Sequence, residues 1–125
     1  MTDTADASSD ARSPGGGGRV FPRRELEARI PRGVDNPFAV AIERGELYVE
    51  LYRPEGEDLQ APHERDECYF VVEGSGTFVL GDERVPFEAG DCIFVPAGVV
   101  HRFEDFGDHV LTWVLFYGPR GGDRP

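Results

Sequence analysis

The chain has 125 residues, 39% hydrophobic and 11% aromatic, enough for one compact domain with its own core and too few for two. Its formal net charge of -11 repels nucleic-acid phosphates and anionic lipid, which excludes both as expected partners. No apolar run approaches the roughly 18 residues a membrane span needs, and the N-terminus lacks the basic start and apolar stretch of a signal peptide, so a cytoplasmic location is expected.

Residues 1–18 are rich in Ser, Asp, Ala and Gly and read as a disordered tail. Residues 19–36 read as an arm, in which Arg23 to Arg29 suits either a short helical turn or an extended segment between Pro22 and Pro31. From Pro37 the pattern changes to short apolar runs broken by turn residues. Strands are expected at Phe38–Ile42, Leu47–Tyr52, Cys68–Val72, Thr77–Leu80, Arg84–Phe87, Asp91–Val95, Val99–Phe103 and Val110–Phe116. Gly81-Asp82 reads as a two-residue hairpin turn. Strands of this length with no long helix argue for an all-β sandwich or barrel over residues 37–118. Residues 119–125 read as a loose tail.

Gly74, Gly76, Gly90 and Gly98 are expected at turns with positive φ. Tyr69, Phe78, Phe94, Phe103 and Trp113 are expected in the core. Cys68 and Cys92 read as buried reduced thiols, with a disulfide or a metal-bound thiolate as the alternatives. His109, in Gly107-Asp108-His109, reads as a solvated loop residue.

Two segments carry candidate chemistry. In Pro62-His63-Glu64-Arg65-Asp66-Glu67, a straight strand would hold His63 and Glu67 about 13 Å apart at roughly 3.3 Å per residue. Two ligands of one ion need donor atoms only about 3 Å apart. A turn at Glu64-Arg65-Asp66 would bring them together, His63 closing one strand and Glu67 opening its antiparallel neighbour. The polar turn residues read as solvated, with Arg65 also available to an anionic substrate. In the second segment, Gly90 to His101, an apolar strand leads into Pro96-Ala97-Gly98, and the next strand begins at His101. A strand beside the first pair would deliver His101 as a third ligand. A histidine next to an apolar strand is more often structural, so a metal-free polar cluster is the plain alternative.

The second segment resembles the cupin motif G-x5-P-x-G-x2-H-x3-N at every fixed position but the last, which is Asp105 and reads as a turn residue. The first resembles the cupin motif G-x5-H-x-H-x3-4-E-x6-G through His63, Glu67 and Gly74. The motif's first histidine falls on Ala61, and its opening glycine is displaced by one, to Gly56. The two motifs stand in the right order, with 15 residues between Gly74 and Gly90. The resemblance implies a cupin-type jelly-roll barrel whose interior holds one divalent metal ion (Fe, Mn, Ni or Zn) on His63, Glu67 and His101.

Two histidines and one carboxylate form the ligand set of non-haem iron oxygenases, which leaves positions open for substrate and dioxygen. Gln60 or Asp58 could replace the missing ligand, although a neighbour of Ala61 on a strand would face the other way. The leading expectation is a metal-dependent enzyme on a small organic substrate, dioxygenase-like or else an isomerase or lyase, with Glu67 essential to catalysis. The rival is a non-catalytic module that binds or senses a small molecule or metal. A metal-free barrel used for assembly is a weaker third. Cupins commonly pair through edge strands, so a homodimer is expected.

Overall fold

The computed structural model describes residues 17–125. All of the expected N-terminal tail except Gly17 and Gly18 lies outside the described residues. A short helix α1 (Arg23–Ala28) precedes eight strands: β1 (Phe38–Arg44), β2 (Leu47–Tyr52), β3 (Asp66–Glu73), β4 (Ser75–Leu80), β5 (Glu83–Glu88), β6 (Cys92–Val95), β7 (His101–Glu104) and β8 (Leu111–Tyr117). They form a five-stranded sheet in the order β1-β2-β8-β3-β6 and a three-stranded sheet in the order β5-β4-β7. The fold is the all-β double-stranded helix that the strand spacing and the motifs imply. No helix among the described residues is long and apolar enough to cross a membrane.

The core lies between the sheets and is aromatic. Tyr69 of β3 meets Phe103 of β7 edge to face at 5.2 Å between ring centroids, and Phe103 meets Phe78 of β4 at 4.8 Å. Val95, Val110 and Val114 fill the spaces around them, each 1% exposed or less. Such ring pairs favour edge-to-face contact because the positive ring edge meets the negative face. A second cluster lies on the other side of the large sheet. Leu26 of α1 and Ile30 pack there on Ala39, Leu51 and Leu111, so the arm takes the helical alternative and docks by Leu26, which is 2% exposed.

Five expectations are corrected. Phe94 is 54% exposed rather than core, and Cys92 is exposed rather than buried, with both cysteines free. The cause is register: Cys68 pairs with Phe94 and Phe70 with Cys92, so these four share the outer face of the large sheet beside its edge strand β6. Gly76 lacks a positive φ; it lies in β4 where a Cβ would fall 2.6 Å from the carbonyl oxygens of Glu104 and Asp105. His109 is not simply solvated, since its Nε2 stands 2.9 Å from Glu73 Oε1, and Glu73 also pairs with Arg23 at 2.7 Å. The C-terminal segment, expected to be loose, is tied back by Gly121 N–H donating to Glu64 O at 2.7 Å and Asp123 N–H to Asp66 Oδ2 at 3.0 Å.

Candidate metal centre

Glu67 is the second residue of β3. It pairs with Val95 of β6 and Phe116 of β8, and alternation along β3 turns it inward with Tyr69 and Val71. It is 2% exposed. His101 opens β7 as expected, but that strand belongs to the opposite sheet. His101 therefore faces Glu67 across the interior instead of lying beside it. His63 is on no strand; it sits in the irregular stretch between β2 and β3. The expected turn closing one strand is thus a bend after a loop, and Asp66 is the first residue of β3.

Backbone bonds lock the two motif segments together. Gly98 N–H donates to His63 O at 2.7 Å, and Ala97 N–H donates to Asp66 Oδ1 at 2.9 Å. The Pro96-Ala97-Gly98 turn is thereby clipped to the first segment, and it launches β7 with His101 pointing inward. Asp66 is accordingly a structural acceptor and not a free turn charge. Backbone N–H groups of Asp123 and Ala97 hold its carboxyl below the usual range.

The three side chains converge, with one donor atom of each within 4.8 Å of the others. His63 Nε2 stands 3.7 Å from Glu67 Oε2, and His101 Nε2 stands 3.5 Å from Glu67 Oε1. Two donors each roughly 2.1 Å from one ion lie about 3.0 Å apart at a right angle and about 3.4 Å apart at the tetrahedral angle. Both Glu67 oxygens and His101 Nε2 are buried without a hydrogen-bond partner among the described residues. Unsatisfied buried polar atoms are costly, the more so when charged. A cation between them would satisfy all three, so the donor set fits a metal ion.

The two histidines differ in protonation. His101 Nδ1–H donates to Val99 O at 2.8 Å, which leaves Nε2 as the atom facing Glu67. Burial alone would lower the His101 pKa, but the adjacent Glu67 carboxylate outweighs it and raises the value. Burial lowers the His63 pKa despite Glu67, which favours the neutral, ligating imidazole. The His63 ring is held edge-on against Phe116 at 4.9 Å.

His63 also borders a cavity of about 450 Å³. Its walls include Phe38, Tyr48, Tyr52 and Phe116, together with two polar residues the sequence reading did not single out as a pair, Glu50 and Gln60. Burial pushes the Glu50 carboxyl up to about 7, against a Tyr48 hydrogen bond and with help from the Glu67 charge. Its signal lay in β2: Tyr48, Glu50 and Tyr52 recur at every second position and so share one face. Gln60 was expected to face away, but residues 58–63 are not strand. Its Oε1 accepts from Tyr69 OH at 2.9 Å and lies 3.4 Å from His63 Nε2. Asp58, 4% exposed, takes hydrogen bonds from Tyr52 OH, Phe103 N–H and Gln60 Nε2, so its oxygens are engaged in structure.

Comparison with known proteins gives the family and the fold. The family model for the Cupin domain matches residues 48–117. An uncharacterized protein of Streptomyces coelicolor is 32% identical over 103 residues, covering 81% of this chain and 97% of that protein. An acireductone dioxygenase of Parvibaculum lavamentivorans is 28% identical over 147 aligned residues, covering 97% of this chain and 80% of that enzyme. A crystal structure of a double-stranded β-helix protein from Klebsiella pneumoniae superposes with a TM-score of 0.67 at 17% identity, over 80% of this chain and 90% of that one, a likeness of fold alone. By family match, motif and strand topology, the chain belongs to the cupin family.

Proposed function

We propose that this cupin is a metal-dependent enzyme, dioxygenase-like in its chemistry, acting on a small organic molecule, with His63, Glu67 and His101 as its metal ligands. The observation that carries the reading is the set of three buried donor atoms on Glu67 and His101 that have no hydrogen-bond partner among the described residues, beside a cavity with four aromatic walls that His63 borders. An apolar pocket with a few convergent polar groups is the normal form of a small-molecule site. The sequence likeness to an acireductone dioxygenase supports oxygen chemistry over mere storage.

When bound, a metal on two histidines and one carboxylate supplies Lewis acidity or dioxygen activation at its open positions. The chain's own residues do the rest. Glu67 is the one anionic ligand of the three and compensates the ion's charge. Phe38, Tyr48, Tyr52 and Phe116 hold the apolar part of a substrate and exclude water. Glu50, poised near neutrality, can take a proton from a bound hydroxyl or return one through its carboxylate oxygen.

An aerobic substrate screen with oxygen consumption as readout tests this proposal. The ferrous protein should also bind nitric oxide, a dioxygen mimic, and Glu67→Ala should abolish turnover. Ligand binding that persists with zinc and consumes no oxygen would instead make the protein a binding module. A homodimer belongs to the same reading. Strands β1 and β6 are the two edges of the large sheet, and Phe94 of β6 and Phe70 of the adjoining β3 are 54% and 44% exposed. Light scattering should give the mass of two chains, and a monomer at high concentration would remove the claim.

A further inference from the structure

Ala61 occupies the place of a histidine in the motif, and it is exposed. Its neighbour Gln60 is not. The loop that carries it wraps around the buried Asp58, which is fixed to β2 through Tyr52 OH and to β7 through Phe103 N–H. Gln60 Nε2 donates to Asp58 Oδ2 at 2.7 Å. Asp58 can only accept, so the amide nitrogen must face it and the amide oxygen must face the opposite way. That oxygen has two lone pairs. Tyr69 OH occupies one at 2.9 Å. The other faces His63 Nε2 at 3.4 Å, close to the 3.5 and 3.7 Å that separate Glu67 from the two histidines.

The geometry points to Gln60 Oε1 as a fourth donor to the ion that His63, Glu67 and His101 would hold. The inference rests on the metal-binding reading above. The Asp58–Gln60–Tyr69 chain then aims a neutral oxygen at the site from the loop, in place of the imidazole that position 61 does not supply. The donor set becomes two nitrogens and two oxygens with a net charge of one carboxylate. That set is harder than three imidazoles and a carboxylate and favours oxygen-preferring divalent ions.

The test uses metal-free full-length protein titrated with Zn²⁺ and, for spectra, with Co²⁺. Wild type should bind, and Gln60→Leu should lower Zn²⁺ affinity by roughly ten-fold or more and change the Co²⁺ absorption bands. Tyr69→Phe removes the hydrogen bond to the same oxygen while leaving the oxygen in place. It should keep the wild-type Co²⁺ spectrum. Wild-type affinity and spectrum in Gln60→Leu would overturn the inference while leaving the three-residue site intact. An unbound wild type would overturn that site and take this inference with it. Should Gln60→Leu fail to fold, the wild type still decides. Zn²⁺ should shift the Gln60 side-chain carbonyl carbon and amide nitrogen resonances together, and an unmoved carbonyl carbon in the loaded protein would overturn the assignment.

Discussion

Glu50 is a carboxylate placed against the grain of its surroundings, and the chain's stability should record it. Its carboxyl titrates at about 7 in the folded protein against 4.5 for the free group, so the folded state prefers the protonated form. Stability tied to that proton is fully present below about pH 4.5 and is lost as pH rises through about 7, at most on the order of 3 kcal/mol. Glu50→Gln should therefore raise the melting temperature of the metal-free protein at about pH 8 and leave it nearly unchanged at about pH 4. An equal effect at both pH values would contradict this account of Glu50. His101 makes the complementary prediction. Its raised pKa means that a metal must displace a proton from Nε2. Zn²⁺ affinity should thus fall by about ten-fold per pH unit below that pKa, as titration across a pH series would show. An affinity flat with pH would mean that Nε2 is not the ligating atom. At this scale the sequence brought out the three converging residues, because each stands at a fixed motif position. It offered Gln60 as well, but strand parity, applied to a stretch that is loop, turned that side chain the wrong way.

At the scale of elements, α1 is held by one apolar anchor and a rim of ion pairs, and the two should differ sharply in worth. Leu26→Ala empties a site that is 2% exposed and should cost about 2–5 kcal/mol by denaturant unfolding. Arg23→Ala removes a solvent-screened pair with Glu73 and should cost far less than the loss of Leu26. Comparable losses would mean that the helix is held by charge. The strands were legible because turn glycines and prolines punctuate them: β2 was expected at its observed bounds, and Gly81-Asp82 closes the β4–β5 hairpin as expected. Which face of β3 and β6 points inward was not legible, since Cys68, Phe70, Cys92 and Phe94 are as apolar as the buried Tyr69, Val71 and Val95. Sheet assignment was equally hidden. The spacing from Gly98 to His101 fixes where β7 starts, but only its pairing with β4 shows that β7 belongs to the opposite sheet.

Across the whole molecule, two sheets and one loop each send a donor to the same point. Among the described residues, the buried Glu67 oxygens and His101 Nε2 have no hydrogen-bond partner. On the reading proposed above, a divalent ion supplies one. The most direct measurement is the metal content, per chain, of protein purified without a histidine tag, compared with the His63→Ala/His101→Ala double variant. We expect about one divalent ion per chain in the wild type and a folded double variant that holds essentially none. Full occupancy in that double variant, or a wild type that stays empty when supplied with iron, manganese, nickel and zinc in turn, would contradict it.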